Sequence, residues 1–333
     1  YEKVNLNTEK DLTCLSVSKL NSIIIGGQDS TLFISNDGAD TFQQVKFTFS
    51  NQGIYKFMGF HSMLFVNDSI LLGGSTVRNN LGIIKKIQCI SLDKGKTWIA
   101  ATNSSNSNDY ALDQELKYAF VAGDHGEIMA AKLDEDINNK FEGVKRLVTL
   151  NNPRLNFRFF SRDNRGNFLV TNHHRLFISQ DSGKTFNQIH ELKNQKTFLT
   201  AQFIDSEHIL AVEDSIYYFE ENGKEYTEHN QFFTKINITG NIISRIPLID
   251  SVTIKELIIS ENDCIIANGT YQYFYISLDG GQSWKTRVLP GDVDIHDLEY
   301  LGNGIIYIYG FNWENNSMNF YRSYDYGENW DYE

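Results

Sequence analysis

The sequence predicts an all-β fold, a seven-bladed β-propeller, on three observations. A turn of the form Ser-x-Asp-x-Gly-x-Thr-Trp recurs along nearly the whole chain, its copies fall on a common period, and aromatic residues reach 13% of the sequence while only three prolines occur. The chain of 333 residues contains no stretch with the Pro, Ser or Gly bias of a linker, so a single domain over 1–333 is expected.

Four copies of the turn superpose directly: Ser91 to Trp98, Ser179 to Phe186, Ser277 to Trp284 and Ser323 to Trp330. A fifth, Ser35 to Phe42, has its glycine one place early. In each, the Ser and Asp side chains are suited to bind backbone N–H groups of a tight turn, the glycine to take a positive φ, and the aromatic to restart the next strand facing the core. Asp37, Asp93, Asp181, Asp279 and Asp325 are therefore expected to be structural. The serines at 35, 91, 179, 277 and 323 are separated by 56, 88, 98 and 46 residues, and the two long gaps imply two eroded copies. Candidates are Lys132 to Asp136 and Phe219 to Tyr226, the latter with Glu in place of Asp but Gly223 in register. Six steps from Ser35 to Ser323 then average 48 residues, the length of a four-stranded blade.

The first blade illustrates the reading: Leu12 to Ser18 as inner strand, Ser22 to Gly26 as second, Thr31 to Ser35 as third, and Phe42 to Phe47 as outer strand after the turn. Only Asp331, Tyr332 and Glu333 follow the last turn, so the N-terminal residues Tyr1 to Leu6 are expected to close the last blade as its outer strand, removing an exposed edge.

A formal charge of −12 with a pI near 5.2 argues against nucleic-acid binding, which needs a basic footprint. No apolar run approaches the roughly 20 residues that a transmembrane helix needs. Cys14, Cys89 and Cys264 are odd in number and lack metal or redox spacing, so they read as buried small hydrophobes. The sequence starts at Tyr1 rather than Met, and a signal peptide or lipid anchor upstream is the expectation, which would make the protein extracytoplasmic. A monomer without cofactors is expected.

The repeated turn resembles the Asp-box (BNR) repeat superfamily, which includes sialidases, xyloglucan-cleaving glycosidases, sortilin-type receptors and photosystem II assembly factors. These families share the turn and differ in chemistry. The sialidase pattern implies an Arg-Ile-Pro on an early strand, whereas here Arg245-Ile246-Pro247 comes late and reads as a loop entering the sixth blade. Xyloglucanases pair two such propellers, and sortilin-type receptors have ten blades. The resemblance is closest in architecture to the photosystem assembly factors, which implies a single seven-bladed propeller that binds proteins.

Propeller sites form at the end opposite the repeated turns, from loops joining second to third strands. Those loops are expected to contain Asp124 and His125, His173, His174 and Arg175, Glu213 and Asp214, and Asn312 to Glu314. The carboxylates and histidines have the chemistry for a metal or an acid–base pair, although solvated turns are the plainer reading and no metal is assigned. Six of the ten arginines, Arg146, Arg154, Arg158, Arg162, Arg165 and Arg175, fall within thirty positions and read as a docking surface for an anionic partner. Trp313, the only tryptophan outside a repeated turn, is suited to stack on a sugar. The expected function is a non-catalytic scaffold recognising a protein or glycan; the alternative is a sialidase-like or xyloglucanase-like glycoside hydrolase with paired carboxylates.

Overall fold

The computed structural model describes residues 6, 8, 10–18, 20–49, 55–100, 107–113, 118–123, 127–132, 145–149, 157–193, 195–221, 224–248, 252–260 and 263–332. Those residues form seven sheets, antiparallel except where Thr48–Phe49 pairs parallel with Thr97 and Trp98, and no helix occurs among them. The chain divides into two compact units, Tyr1–Ser107 with Tyr271–Tyr273 and Arg287–Glu333, and Asn108–Thr270 with Phe274–Thr286.

In the first unit, β1 (Leu12–Val17), β2 (Ile23–Gly27), β3 (Leu32–Ser35) and β4 (Gln43–Gln44) form one sheet in chain order. The second sheet holds β5 (Thr48–Phe49), β6 (Tyr55–Phe65), β7 (Leu71–Asn79), β8 (Ile84–Ser91) and β9 (Thr97–Ala100) in the order β5-β9-β8-β7-β6. The second unit carries β10 (Ser107–Asp113), β11 (Tyr118–Gly123), β12 (Glu127–Lys132) and β13 (Lys145–Thr149) in one sheet. The next contains β14 (Phe159–Arg162), β15 (Phe168–Thr171), β16 (Arg175–Ser179) and β17 (Asn187–Glu191). It is followed by β18 (Lys196–Phe203), β19 (His208–Glu221), β20 (Lys224–Asn237) and β21 (Ile242–Pro247). The sixth sheet contains β22 (Glu256–Ile259), β23 (Ile265–Asn268), β24 (Tyr273–Ser277) and β25 (Lys285–Val288). The last, in the first unit, is β26 (Val293–Gly302), β27 (Ile305–Asn312), β28 (Ser317–Ser323) and β29 (Asp331–Tyr332).

Inner and second strands are runs of β-branched and aromatic residues because both of their faces are covered, as in β2, where all five residues are buried. Ile24, Leu32, Phe60, Leu71 and Trp98 fill the layer between the first two sheets. Leu15, Ile25, Phe33, Tyr307, Tyr309 and Phe320 fill the layer between the first and last. In the second unit, Leu169, Leu176, Phe198, Ile209 and Ile236 pack the β14–β17 sheet on the β18–β21 sheet. Each such side chain contributes about 1.5 to 3 kcal/mol of burial. Side chains of one inner strand also satisfy the backbone edge of the next, as a managed edge requires. Asp297 accepts from Leu15 N–H at 2.7 Å, Ser16 from Phe65 N–H at 3.0 Å and Ser161 from Phe203 N–H at 3.2 Å.

The repeated turns join third strands to outer strands. In the Ser179 turn the hydroxyl donates to Asp181 at 2.8 Å and accepts from Gly183 N–H at 2.9 Å, while Asp181 accepts from Thr185 N–H at 2.9 Å. The turns at Ser35, Ser91, Ser277 and Ser323 repeat this scheme. The residue whose N–H donates to the serine is glycine at positive φ in four copies, and Ala39 adopts the same conformation at φ 79° in the first. These bonds hold the carboxylates ionised. The Thr185 hydroxyl and N–H, with Ser179, lower Asp181 to about 2. At Asp279 desolvation opposes the shift, but hydrogen bonds from Ser283 and Ser277 outweigh it and the group also lies at about 2.

The linkage has a definite sign. The unfolded chain takes up these protons near pH 4 and the folded one only below it, so the stabilisation is complete above about pH 4 and is lost as pH falls towards about 2. The melting temperature is accordingly expected to drop across that interval, and Asp181→Asn should flatten the drop while lowering stability at neutral pH. A melting series against pH checks both.

One expectation is corrected, and two fall on residues outside those described. Beside β28, Asp331–Tyr332 pair as Arg322↔Asp331 and Tyr321↔Tyr332, next to the place where the N-terminal residues were expected to close the last blade. Residues 1–5 lie outside the described residues, but Leu6 does pack with Tyr307, Tyr309 and Phe320. The segment Phe219 to Tyr226 is not an eroded copy of the turn: it is the end of the long β19–β20 hairpin, with Phe219↔Tyr226 in register, at the opposite end of the sheet. The third-to-outer turn of this sheet is Asn237–Asn241, where the Asn237 side chain accepts from Thr239 N–H at 3.1 Å and Asn241 N–H at 2.9 Å, as serine does elsewhere. The Lys132 to Asp136 candidate extends from the end of β12 into residues outside those described.

Candidate functional site

The chemistry expected at the second-to-third-strand loops concentrates on the β14–β17 and β18–β21 sheets. Asn172 closes the β15–β16 turn, its side-chain oxygen accepting from the N–H groups of His174 at 2.9 Å and Arg175 at 2.8 Å. That turn presents His173 and His174 side by side, with ring centroids 6.1 Å apart. The His173 carbonyl accepts from Phe198 N–H at 2.7 Å, and the His174 ring Nδ1 lies 2.8 Å from the Lys196 carbonyl, so both are docked onto β18. Arg158 is exposed next to them, its N–H bonded to the Thr171 carbonyl at 2.8 Å. Desolvation first, then the charges of Arg158 and His174, hold the His173 imidazole below its ordinary range. Among the described residues no carboxylate pairs with Arg158, which leaves its guanidinium exposed at this end of the sheet.

The arginine surface is smaller than the sequence suggests. Arg175 is bound to Glu191 directly across the strand pair at 2.9 Å, an exposed pairing of little energetic weight. Arg162 and Arg165 flank the β14–β15 turn at the far end of the sheet from His173, because four strand residues span about 13 Å. Arg154 lies outside the described residues, as do Asp124 and His125, while Arg146 lies on β13, paired with Met129.

Glu213 and Asp214 are not loop residues. They sit in the middle of β19, 2% and 4% exposed, because that strand continues to Glu221. Being consecutive in a strand, they point to opposite faces and cannot act as a facing pair. Each has its own partner: Glu213 the Arg245 guanidinium at 2.9 Å and Asp214 the His229 ring at 2.9 Å. Arg245 also lies over the Phe232 ring at 3.6 Å, and with Ile246 and Pro247 it belongs to the outer strand β21 rather than to a loop. Among the described residues no three His, Cys, Asp or Glu side chains gather as a metal would require.

The first unit contributes two features. Trp313 is 60% exposed at the β27–β28 turn, edge-on to Phe311. The strand β26 carries a carboxylate pair that sequence reading passed over, Asp297 and Glu299, on one face by their i, i+2 spacing. Asp297 uses its oxygens to hold the N–H groups of Leu15 and Leu298, at 2.7 and 2.9 Å. Glu299 keeps some accessible surface but is hemmed in by protein, and that burial, with Asp297 second, pushes its carboxyl up to about 8. The alternation of Asp297 and Glu299 with Leu298 and Tyr300 in an inner strand was the signal available in the sequence. Their geometry is that of a strand clamp with a neutral neighbour.

No protein-family model matches the chain, and no curated protein matches it. Solved structures do. It superposes on YCF48 bound to a D1 peptide with a TM-score of 0.65 at 14% identity, covering 97% of this chain and 96% of that one. YCF48 from Cyanidioschyzon merolae gives a TM-score of 0.64 at 16% identity, covering 97% and 98%. The fold is a β-propeller.

Proposed function

We propose that the protein is a non-catalytic scaffold that binds an extended acidic segment of a protein partner at the Arg158–His173–His174 end of its second unit. The observation that carries this reading is the exposed Arg158 guanidinium beside His173 and His174, with no described carboxylate paired to it. An arginine so placed offers bidentate contacts to a carboxylate, and the flanking imidazoles add donors. The buried acids of β19 are already engaged, Glu213 by the Arg245 guanidinium and Asp214 by the His229 ring. YCF48, which shares the fold, has been captured with a D1 peptide, and binding of a peptide segment is the property this reading carries over.

Fluorescence anisotropy with an aspartate-rich peptide tests it. Arg158→Glu is expected to weaken binding by about ten- to a hundredfold, the value of a hydrogen bond to a charged group, with an unchanged melting temperature. Binding should also weaken as salt shortens the Debye length. Equal affinity of the variant would overturn the assignment.

A further inference from the structure

The β7–β8 hairpin of the first unit ends in a tip of a different character. Leu81, Ile83 and Ile84 are 84%, 51% and 54% exposed, three large aliphatic side chains within four residues. Isolated exposed apolar residues are ordinary, whereas a contiguous group on a projecting tip marks a contact surface. The tip is built rather than loose. Asn79 Oδ1 accepts from the N–H groups of Leu81 at 3.0 Å and Ile83 at 2.8 Å, Gly82 N–H donates to the Asn79 carbonyl at 2.9 Å, and Gly82 takes φ 80°. This Asx-type turn turns its apolar side chains outward.

Behind the tip stand cations. Arg78 and Lys85 are exposed on β7 and β8, and Lys56 on β6 lies directly opposite Arg78 in the register. Like charges facing one another across strands destabilise a sheet, so this pairing is not there for stability. From residue 69 to residue 92 the sequence contains Arg78, Lys85 and Lys86 and not one Asp or Glu, in a chain of net charge −12.

We propose that this hairpin tip is a membrane-docking finger, inserting Leu81, Ile83 and Ile84 into the interface of an anionic bilayer while Lys56, Arg78 and Lys85 meet the lipid headgroups. The composition favours lipid over protein. Protein interfaces are depleted in lysine and rely on aromatic and arginine anchors, whereas aliphatic tips with a lysine-rich collar suit an anionic bilayer surface. The finger shares no residue with the Arg158 site, and the two assignments stand or fall independently.

Co-sedimentation with vesicles of phosphatidylcholine containing about 30% phosphatidylglycerol, against phosphatidylcholine alone, tests the proposal at roughly 0.1 M salt. The wild type is expected to bind the anionic vesicles at least roughly tenfold better than the neutral ones. The triple variant L81S/I83S/I84S and the pair R78E/K85E should each lose that binding, with melting temperature and acidic-peptide affinity unchanged because these side chains are exposed and outside the peptide site. Absence of wild-type binding, or retained binding in either variant, overturns it. So does sedimentation velocity showing, without lipid, a dimer that the triple variant abolishes, since the tip would then be a contact with a second copy.

Discussion

Replacing Arg245 by alanine is expected to cost about 3 kcal/mol of stability, towards the lower end of the range for breaking a buried ion pair because the guanidinium is partly solvated. Glu213 has a side chain only 3% exposed, against 32% for Arg245, so the variant leaves a carboxylate in the sheet interior. Its other oxygen, Oε1, is buried without a partner among the described residues, so removing Arg245 strips the ion pair that offsets desolvation. The cation–π contact of Arg245 with Phe232 is lost as well. The double variant Glu213→Leu with Arg245→Met removes the stranded charge and should recover most of the loss, which urea unfolding of the two single variants and the double would show as a coupling energy. If Arg245→Ala costs no more than an ordinary surface change, the pair is not holding Glu213.

Gly240→Ala carries the other large effect. Gly240 has φ 90°, and a Cβ there would lie 1.9 Å from the Ile189 carbonyl oxygen and 2.8 Å from its carbon. The obstacle is backbone of β17, which cannot swing aside as a side chain does. The Gly240 carbonyl also sits 3.2 Å from the His190 ring, so displacing the turn disturbs both sheets. Left-handed backbone alone costs alanine about 1 to 2 kcal/mol, and the clash should take the total beyond about 3 kcal/mol. Gly82→Ala is the control, since Gly82 has φ 80° with nothing within 4 Å of the added carbon. It should lose only about 1 to 2 kcal/mol, the backbone cost alone.

Gly240 also shows where the sequence was readable. Five turns could be read directly because their geometry requires a hydroxyl, a carboxylate and a positive-φ residue at fixed offsets. The sixth does the same work with Asn237, whose amide oxygen accepts the bonds that serine accepts elsewhere, so the signature vanishes while the geometry persists. The Asn222-Gly223 pair then drew the reading to the wrong end of the sheet, since a hairpin's end and an eroded copy of the turn share the same glycine signal. The same error put Glu213 and Asp214 in a loop: a strand of 14 residues had not been allowed for. Strand length also divided the arginines, sending Arg162 to one end and leaving Arg158 at the other. The pairing of Glu213 with Arg245 links positions 32 apart in sequence, and only the register of β19, β20 and β21 brings them together. His173 and His174 were found because they sit on a short turn between clearly apolar strands.

The measurement that bears most directly on the proposed site is an NMR titration of the His173 ring with and without the aspartate-rich peptide. In the free protein its midpoint should lie below that of an ordinary histidine, because desolvation and the charges of Arg158 and His174 disfavour the proton. A bound carboxylate reverses the local field, so the midpoint should rise on binding, and Arg158→Glu alone should move it the same way. A His173 midpoint that stays put while the peptide binds would place the ligand elsewhere and contradict the account.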